Sequence, residues 1–185
     1  KPDYDKIEFV NEVSGRDPRL AQTIRTTKGL NFSNCITGYQ PHKYIVEANL
    51  GSSAASYNDL PLFRMAEVYL NYAEAKAELG EITQGDLDIS VNKIRARAKM
   101  PNLNLKVAND SPDPYLSSAE TGYTNVTGAN KGVILEIRRE RNIELVLESQ
   151  NRWWDLMRWK EGACIGQKME GLYIPADKIG KAYDV

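Results

Sequence analysis

The chain has a single histidine, His42, and only two cysteines, Cys35 and Cys164, far apart in sequence. One imidazole excludes most zinc-enzyme arrangements, which need several imidazoles or a cysteine cluster. It also leaves one candidate base for a Ser-His-Asp constellation, with no G-x-S-x-G turn to hold the serine. The cysteines show no paired spacing, so a bridge in an oxidising compartment and two buried free thiols both stay open. No run of about 18 apolar residues exists, so no segment reads as a bilayer span. The formal net charge is −1, which gives no basic excess for phosphate and argues against a nucleic-acid partner. There is neither an initiator methionine nor a signal peptide ahead of Lys1-Pro2-Asp3. The chain therefore reads as the C-terminal portion of a longer protein, with any targeting signal upstream.

What the sequence does have is concentrated in Ile134–Trp159, which holds five arginines, four glutamates and all three tryptophans. The hydrophobic fraction of 42% and charged fraction of 26% are those of an ordinary globular domain. We read 1–185 as one mainly α domain in five stretches. Residues 1–60 are loop-rich, with Asp17-Pro18-Arg19-Leu20 forming a turn because proline pre-sets φ.

A helical hairpin is expected over 61–100. Its first helix runs from Phe63 to Leu79 after a start at Asp59 and Pro61, and Gly80 closes it. Leu62, Ala66, Tyr69, Ala73 and Ala77 form one apolar stripe, and Met65, Tyr72 and Leu79 a second. A helix with two such stripes is expected to pack on more than one side. Thr83 and Asp86 resemble a capping box opening a helix to about Lys99, with Leu87, Val91, Ile94 and Ala98 inward. The pair is tetratricopeptide-like in length and needs packing partners. Residues 102–131 read as a long loop, 132–162 as a helix pair and 163–185 as an extended tail.

Glu136, Glu140, Glu144 and Glu148 follow each other at four-residue spacing, so they form one row on a helix. Like charges at that spacing repel by a few tenths of a kcal/mol per pair. A carboxylate metal site would normally add Glu-x-x-His pairs, and this region has no histidine, so no metal or cofactor is assigned. The favoured reading is a structural ion-pair network of Glu140, Arg141, Glu144, Arg95, Arg97, Arg152, Asp155 and Arg158, with arginines as forked donors. Trp153 and Trp154 read as core in preference to a sugar-stacking platform, because large aromatics dominate core burial. Trp159 stays open between the two.

Five blocks in order resemble the SusD/RagB family of outer-membrane nutrient-binding lipoproteins. They are Asp17–Leu20 with Thr23-Ile24, Thr37–Tyr39 with Lys43-Tyr44, Phe63–Ala75, Asn92–Pro101, and Glu140–Leu145 with Arg152–Trp159. Two departures fall at helix ends: Lys99 and Ser149 stand where the family commonly has glycine. The resemblance implies a helical SusD-like fold, lipid-anchored at the outer-membrane surface through an upstream segment. It implies capture of a glycan or oligosaccharide for a SusC-like TonB-dependent transporter, without bond-breaking chemistry.

A glycan site wants aromatic faces beside planar polar groups on a preformed surface. Eight of the ten tyrosines lie outside the hairpin helices. The candidates are Tyr39, His42, Tyr44, Tyr57 and Asn58, with Tyr115 and Tyr123 second. Packing of these tyrosines onto the helices remains an alternative for each of them. The rival function is a purely protein-binding helical-repeat scaffold with no sugar site. A glycoside hydrolase would need two facing carboxylates about 5–10 Å apart in a cleft.

Overall fold

The computed structural model describes residues 7–26, 35–44, 59, 61–149, 151–166 and 170–179. The chain forms two compact units, Leu60–Gln167 and Lys1–Asp59 with Lys168–Val185, where the sequence suggested one domain. The fold is mainly helical. Among the described residues the only extended pairings are two isolated bridges, Glu8 with Tyr173 and Ile24 with Pro41.

In the smaller unit, α1 (Phe9–Val13) and α2 (Leu20–Thr23) are short. Phe9 is fully buried and meets Tyr39 edge-on, with ring centroids 5.8 Å apart. Asp17 folds back on Arg19, accepting from its backbone N–H at 2.9 Å and from its guanidinium at 2.6 Å. The tail joins this unit where Leu172 N–H donates to Thr37 O at 2.9 Å and Lys178 Nζ reaches Glu8 at 2.8 Å. Instead of staying extended, the segment after Trp159 turns into 3-10 helix at Gly162–Gly166 and again at Ala176–Lys178.

The larger unit opens with α3 (Met65–Glu78). It begins later than the Asp59-Pro61 signal because Arg64 is extended and occupies the N-cap position. Its C-terminus is closed by two bonds, Gly80 N–H to Ala77 O and Glu81 N–H to Lys76 O, with Gly80 at φ +77. That is the Schellman arrangement, which requires a left-handed residue after the cap.

Thr83 opens the next helix through the expected capping box: Asp86 N–H donates to the Thr83 hydroxyl oxygen and Thr83 N–H to the Asp86 carboxylate. The single helix expected to Lys99 is broken into α4 (Gln84–Ile89) and α5 (Val91–Arg97). The break is at Ser90, whose buried hydroxyl donates to Asp86 O at 2.5 Å and so competes with the helical ladder. α5 ends in the same two-bond closure as α3, with Lys99 at φ +56 in the place of Gly80.

The expected loop 102–131 contains two short helices, α6 (Leu105–Asp110) and α7 (Pro114–Ser117). Each has a side-chain cap: Asn104 accepts from Val107 N–H, and Asp113 accepts from Tyr115 and Leu116 N–H ahead of Pro114. α8 (Lys131–Glu144) lies against α6, and Gly132 permits the approach. A β-carbon there would sit 1.8 Å from Ala108 O. α8 stops four residues short of Glu148, and Leu147 and Ser149 both adopt left-handed φ. α9 (Asn151–Trp159) then closes with Lys160 N–H to Met157 O and Glu161 N–H to Leu156 O, again over a left-handed lysine.

The core is built by α3 against α8, covered by α4, α5 and α9. Leu70, Ala73, Leu87, Val91, Val133, Leu135 and Ile137 lie within it. The inward stripe Leu87, Val91, Ile94 and Ala98 is buried throughout. Ala73 and Ala77 on α3 are buried, but Leu62, ahead of the helix, is exposed. The second stripe does not pack as expected: Met65, Tyr72 and Leu79 are all exposed, as is Val68. α3 buries one face only, because the α8 and α9 contacts come from its other side.

Candidate functional site

The glutamate row that runs along α8 to Glu148 is the densest polar constellation, and arginines from α5, from the start of α3 and from α8 itself meet it. Glu140, nearly fully buried, accepts from Arg95 Nη1 at 2.9 Å. Glu144 accepts from Arg97 Nη2 at 2.6 Å and from Arg64 Nη1 at 2.7 Å. Arg64 also spans Glu148, with its Nε 2.6 Å from Oε2. Glu136 takes Arg139 at 2.9 Å, and burial, opposed by that arginine, pushes its carboxyl above the ordinary range. Each carboxylate of the row therefore has an arginine, which removes the mutual repulsion and leaves no open donor set. No cluster of metal-ligating side chains occurs among the described residues.

A second lattice ties α9 to α3. Asp155 accepts from Arg141 Nε at 2.6 Å and from Arg158 Nη2 at 2.9 Å. Arg158 forks onto Glu74 at 2.5 and 2.7 Å, and Trp159 Nε1–H donates to the same Glu74 carboxylate at 2.5 Å. Arg141 also donates to Asn71 at 2.7 Å. Arg152 departs from the expected network: it donates to the Tyr123 hydroxyl at 2.8 Å and lies over that ring. Arg64, Glu74 and Glu148 belong to these lattices although only the Glu148 position was singled out by spacing. Their partners lie some 80 residues away in sequence, a distance that no periodicity reports.

The aromatic side chains divide differently from the sequence expectation. Trp159 is core, buried against Tyr123 at 5.4 Å between ring centroids, with the Arg138 guanidinium 4.5 Å from its own ring centre. Tyr123 is 5% exposed, so it offers no face to a ligand, and burial pushes its phenol upward. Trp153 and Trp154, read as core, are instead 51% and 61% exposed, with Met157 beside them on the outer side of α9. α9 turns Asp155, Leu156 and Trp159 inward because Glu74 and Arg141 anchor that side, and the tryptophan pair is left outside.

Tyr115 stands exposed at 61% on α7, above the Asp113 carboxylate that Arg139 engages. Tyr44 is exposed at 41%, holds φ +63 and has Lys43 Nζ 5.8 Å from its ring centre. Tyr39 turns inward, donating to Glu12 Oε2 at 2.8 Å. His42 is half-buried, and its Nδ1 has no hydrogen-bond partner. Tyr57 and Asn58 lie outside the described residues. Cys35 and Cys164 are free thiols, each partly exposed. No helix among the described residues is long and apolar enough to cross a membrane.

The family model described as the SusD family covers residues 26–184. No curated protein and no solved structure matches the chain.

Proposed function

This chain belongs to the SusD family, and from that premise we propose that it holds a glycan at the cell surface and passes it to a SusC-like TonB-dependent transporter. The family is one of glycan-binding, non-catalytic nutrient-uptake proteins that work with a transporter and are generally associated with the outer membrane. The family match over most of the chain carries this reading. Its mechanism is binding alone: an exposed ring packs on the C–H face of a sugar while neighbouring amides and hydroxyls take its hydroxyl groups. Of the tyrosines proposed from the sequence, Tyr44 and Tyr115 present exposed rings, and Trp153 and Trp154 on α9 are exposed as well. Tyr39 and His42 precede Tyr44 on the same segment. Tyr57 and Asn58 belong to the same proposal on sequence grounds. The reading includes a lipid anchor that holds the protein at the outer membrane.

The test is a broad oligosaccharide-binding screen combined with co-purification of a TonB-dependent transporter. Saturable binding of at least one glycan supports the reading. Silence across the screen, with a transporter or other protein still captured, rejects it in favour of a protein-binding helical scaffold.

One observation favours that second reading. Met65, Val68, Tyr72, Ala75 and Leu79 are all exposed on α3 and recur at alternating spacings of three and four. That spacing is the seam along which one helix receives another. Helix-on-helix contact at this face would let the hairpin act as a scaffold with no sugar involved.

A further inference from the structure

Gln40 and His42 sit two residues apart on a segment paired with Thr23–Arg25. Arg25 N–H donates to Gln40 O at 2.9 Å, and His42 N–H donates to Thr23 O at 2.8 Å, on either side of the Ile24–Pro41 bridge. Alternate residues of a paired extended segment share a face, so these two side chains lie together, opposite Tyr39. Their backbones are satisfied but their side chains are not. Gln40 Oε1 and His42 Nδ1 are both shut from solvent without a hydrogen-bond partner. Among the described residues the only other side-chain atoms in that condition belong to Arg138, whose charge is met by Glu78 at 3.2 Å and by two aromatic rings. Gln40 and His42 have no such compensation.

A buried polar atom left unmade costs about 1–3 kcal/mol, so two on one face form a local deficit. Buried polar groups are otherwise satisfied almost everywhere, and an exception calls for a strain, catalytic, water or ligand explanation. Both residues are partly exposed as wholes. Reaching a ligand takes a turn about the last side-chain torsion of the carboxamide or imidazole. Each can then accept from a hydroxyl. Tyr44, two residues beyond His42, is exposed and offers a ring face to a ligand.

We propose that Gln40 and His42 form a hydroxyl-reading subsite for a saccharide, with two ring hydroxyls taken by Gln40 Oε1 and His42 Nδ1 beside the Tyr44 ring. The inference rests on the glycan reading above and adds to it a specific pair of acceptors, one of which, Gln40, is not aromatic-linked at all.

The experiment is calorimetric titration of the whole chain with maltoheptaose, cellohexaose, xylohexaose and a linear mannan oligosaccharide, repeated on variants checked for native far-ultraviolet dichroism. With any binder found, Gln40→Leu and His42→Ala are each expected to weaken affinity about three- to tenfold. Gln40→Glu, which keeps an acceptor at the same reach, is expected to retain affinity, and it stands in should Gln40→Leu not fold. Unchanged affinity in both Gln40→Leu and His42→Ala overturns the subsite and leaves the glycan reading intact. A wild-type chain silent to all four sugars removes the subsite and counts against that reading as well. A crystal structure of the complex with only water at the two acceptors also overturns it.

Discussion

Arg64 grips Glu144 twice, through the carboxylate at 2.7 Å and through the backbone carbonyl at 2.7 Å, so one guanidinium both neutralises and caps the end of α8. The same group spans Glu148 with two further bonds. Because Arg64 is also the residue that starts α3, it fixes the beginning of one helix to the end of another.

Replacing Arg64 by methionine strips the buried Glu144 carboxylate of one of its guanidinium partners while Arg97 still reaches it. We expect a loss of about 1–3 kcal/mol in urea unfolding, the range for a buried group stripped of one hydrogen-bonding partner. A double-mutant cycle with Glu148→Gln should return a coupling of about 0.5 kcal/mol or more. Strict additivity of the two changes would show that the clamp is ornamental.

The three Schellman ends carry a glycine and two lysines at equivalent positions, Gly80, Lys99 and Lys160. A left-handed non-glycine residue is strained by roughly 1 kcal/mol, part of which glycine gives back as chain entropy. Lys99→Gly and Lys160→Gly are therefore expected to raise stability by about 0.5–1 kcal/mol each. Gly80→Ala should lower it by a similar amount. Thermal melts decide the matter, and a drop in midpoint for both lysine variants would contradict it.

Asp86 is held at about 2, well below its ordinary value, first by the Tyr72 hydroxyl and then by the Thr83 hydroxyl and backbone N–H. Its folded value is depressed, so its contribution is fully present above the unfolded value, near 3.8, and is lost as pH falls towards 2. The start of α4 should thus loosen only in that acid window. Tyr72→Phe removes the largest cause and should move the Asp86 carboxyl upward in an NMR titration. An unmoved carboxyl would mean that the Tyr72 contact does not persist in solution.

Trp159→Ala should cost about 3–5 kcal/mol, as for other buried large aromatics. Trp153→Ala and Trp154→Ala, on the outer side of α9, should each cost less than about 1 kcal/mol. Equal and large losses at all three positions would place the pair in a packed interface instead.

For the glycan reading, Tyr44→Ala and Tyr115→Ala are expected to weaken binding by about 1–3 kcal/mol without loss of fold. The contrast is Tyr123→Ala, which should unfold or destabilise the chain, because that ring is buried against Trp159 and Arg138. Intact affinity in both Tyr44→Ala and Tyr115→Ala would move the search to the tryptophans of α9.

Features set by neighbours in sequence were legible before the structure. The α3 helix, the Thr83–Asp86 box and the Leu87–Ala98 stripe all follow from spacings of three and four. The break at Ser90 was not, since it turns on one hydroxyl choosing Asp86 O. α6 and α7 are too short for periodicity to register, yet their caps Asn104 and Asp113-Pro114 were in plain view. The tryptophans were the hardest. Which side of α9 faces inward depends on Glu74, and Trp153, Trp154 and Trp159 look alike until that carboxylate is placed. Lys99 and Ser149, noted as standing where glycine is common, both adopt the left-handed conformation that explains the glycine preference.

The α8 pairings also make that helix a ruler. Its partners are fixed to other elements, Arg64 ahead of α3, Arg95 and Arg97 on α5. Deleting a single residue between Glu136 and Glu144 would rotate everything beyond it by about 100°. Glu144 would then face away from Arg64 and Arg97 while those arginines stayed in place. Length changes are thus barred from this stretch even where individual side chains tolerate exchange, and insertions or deletions in relatives should accumulate elsewhere.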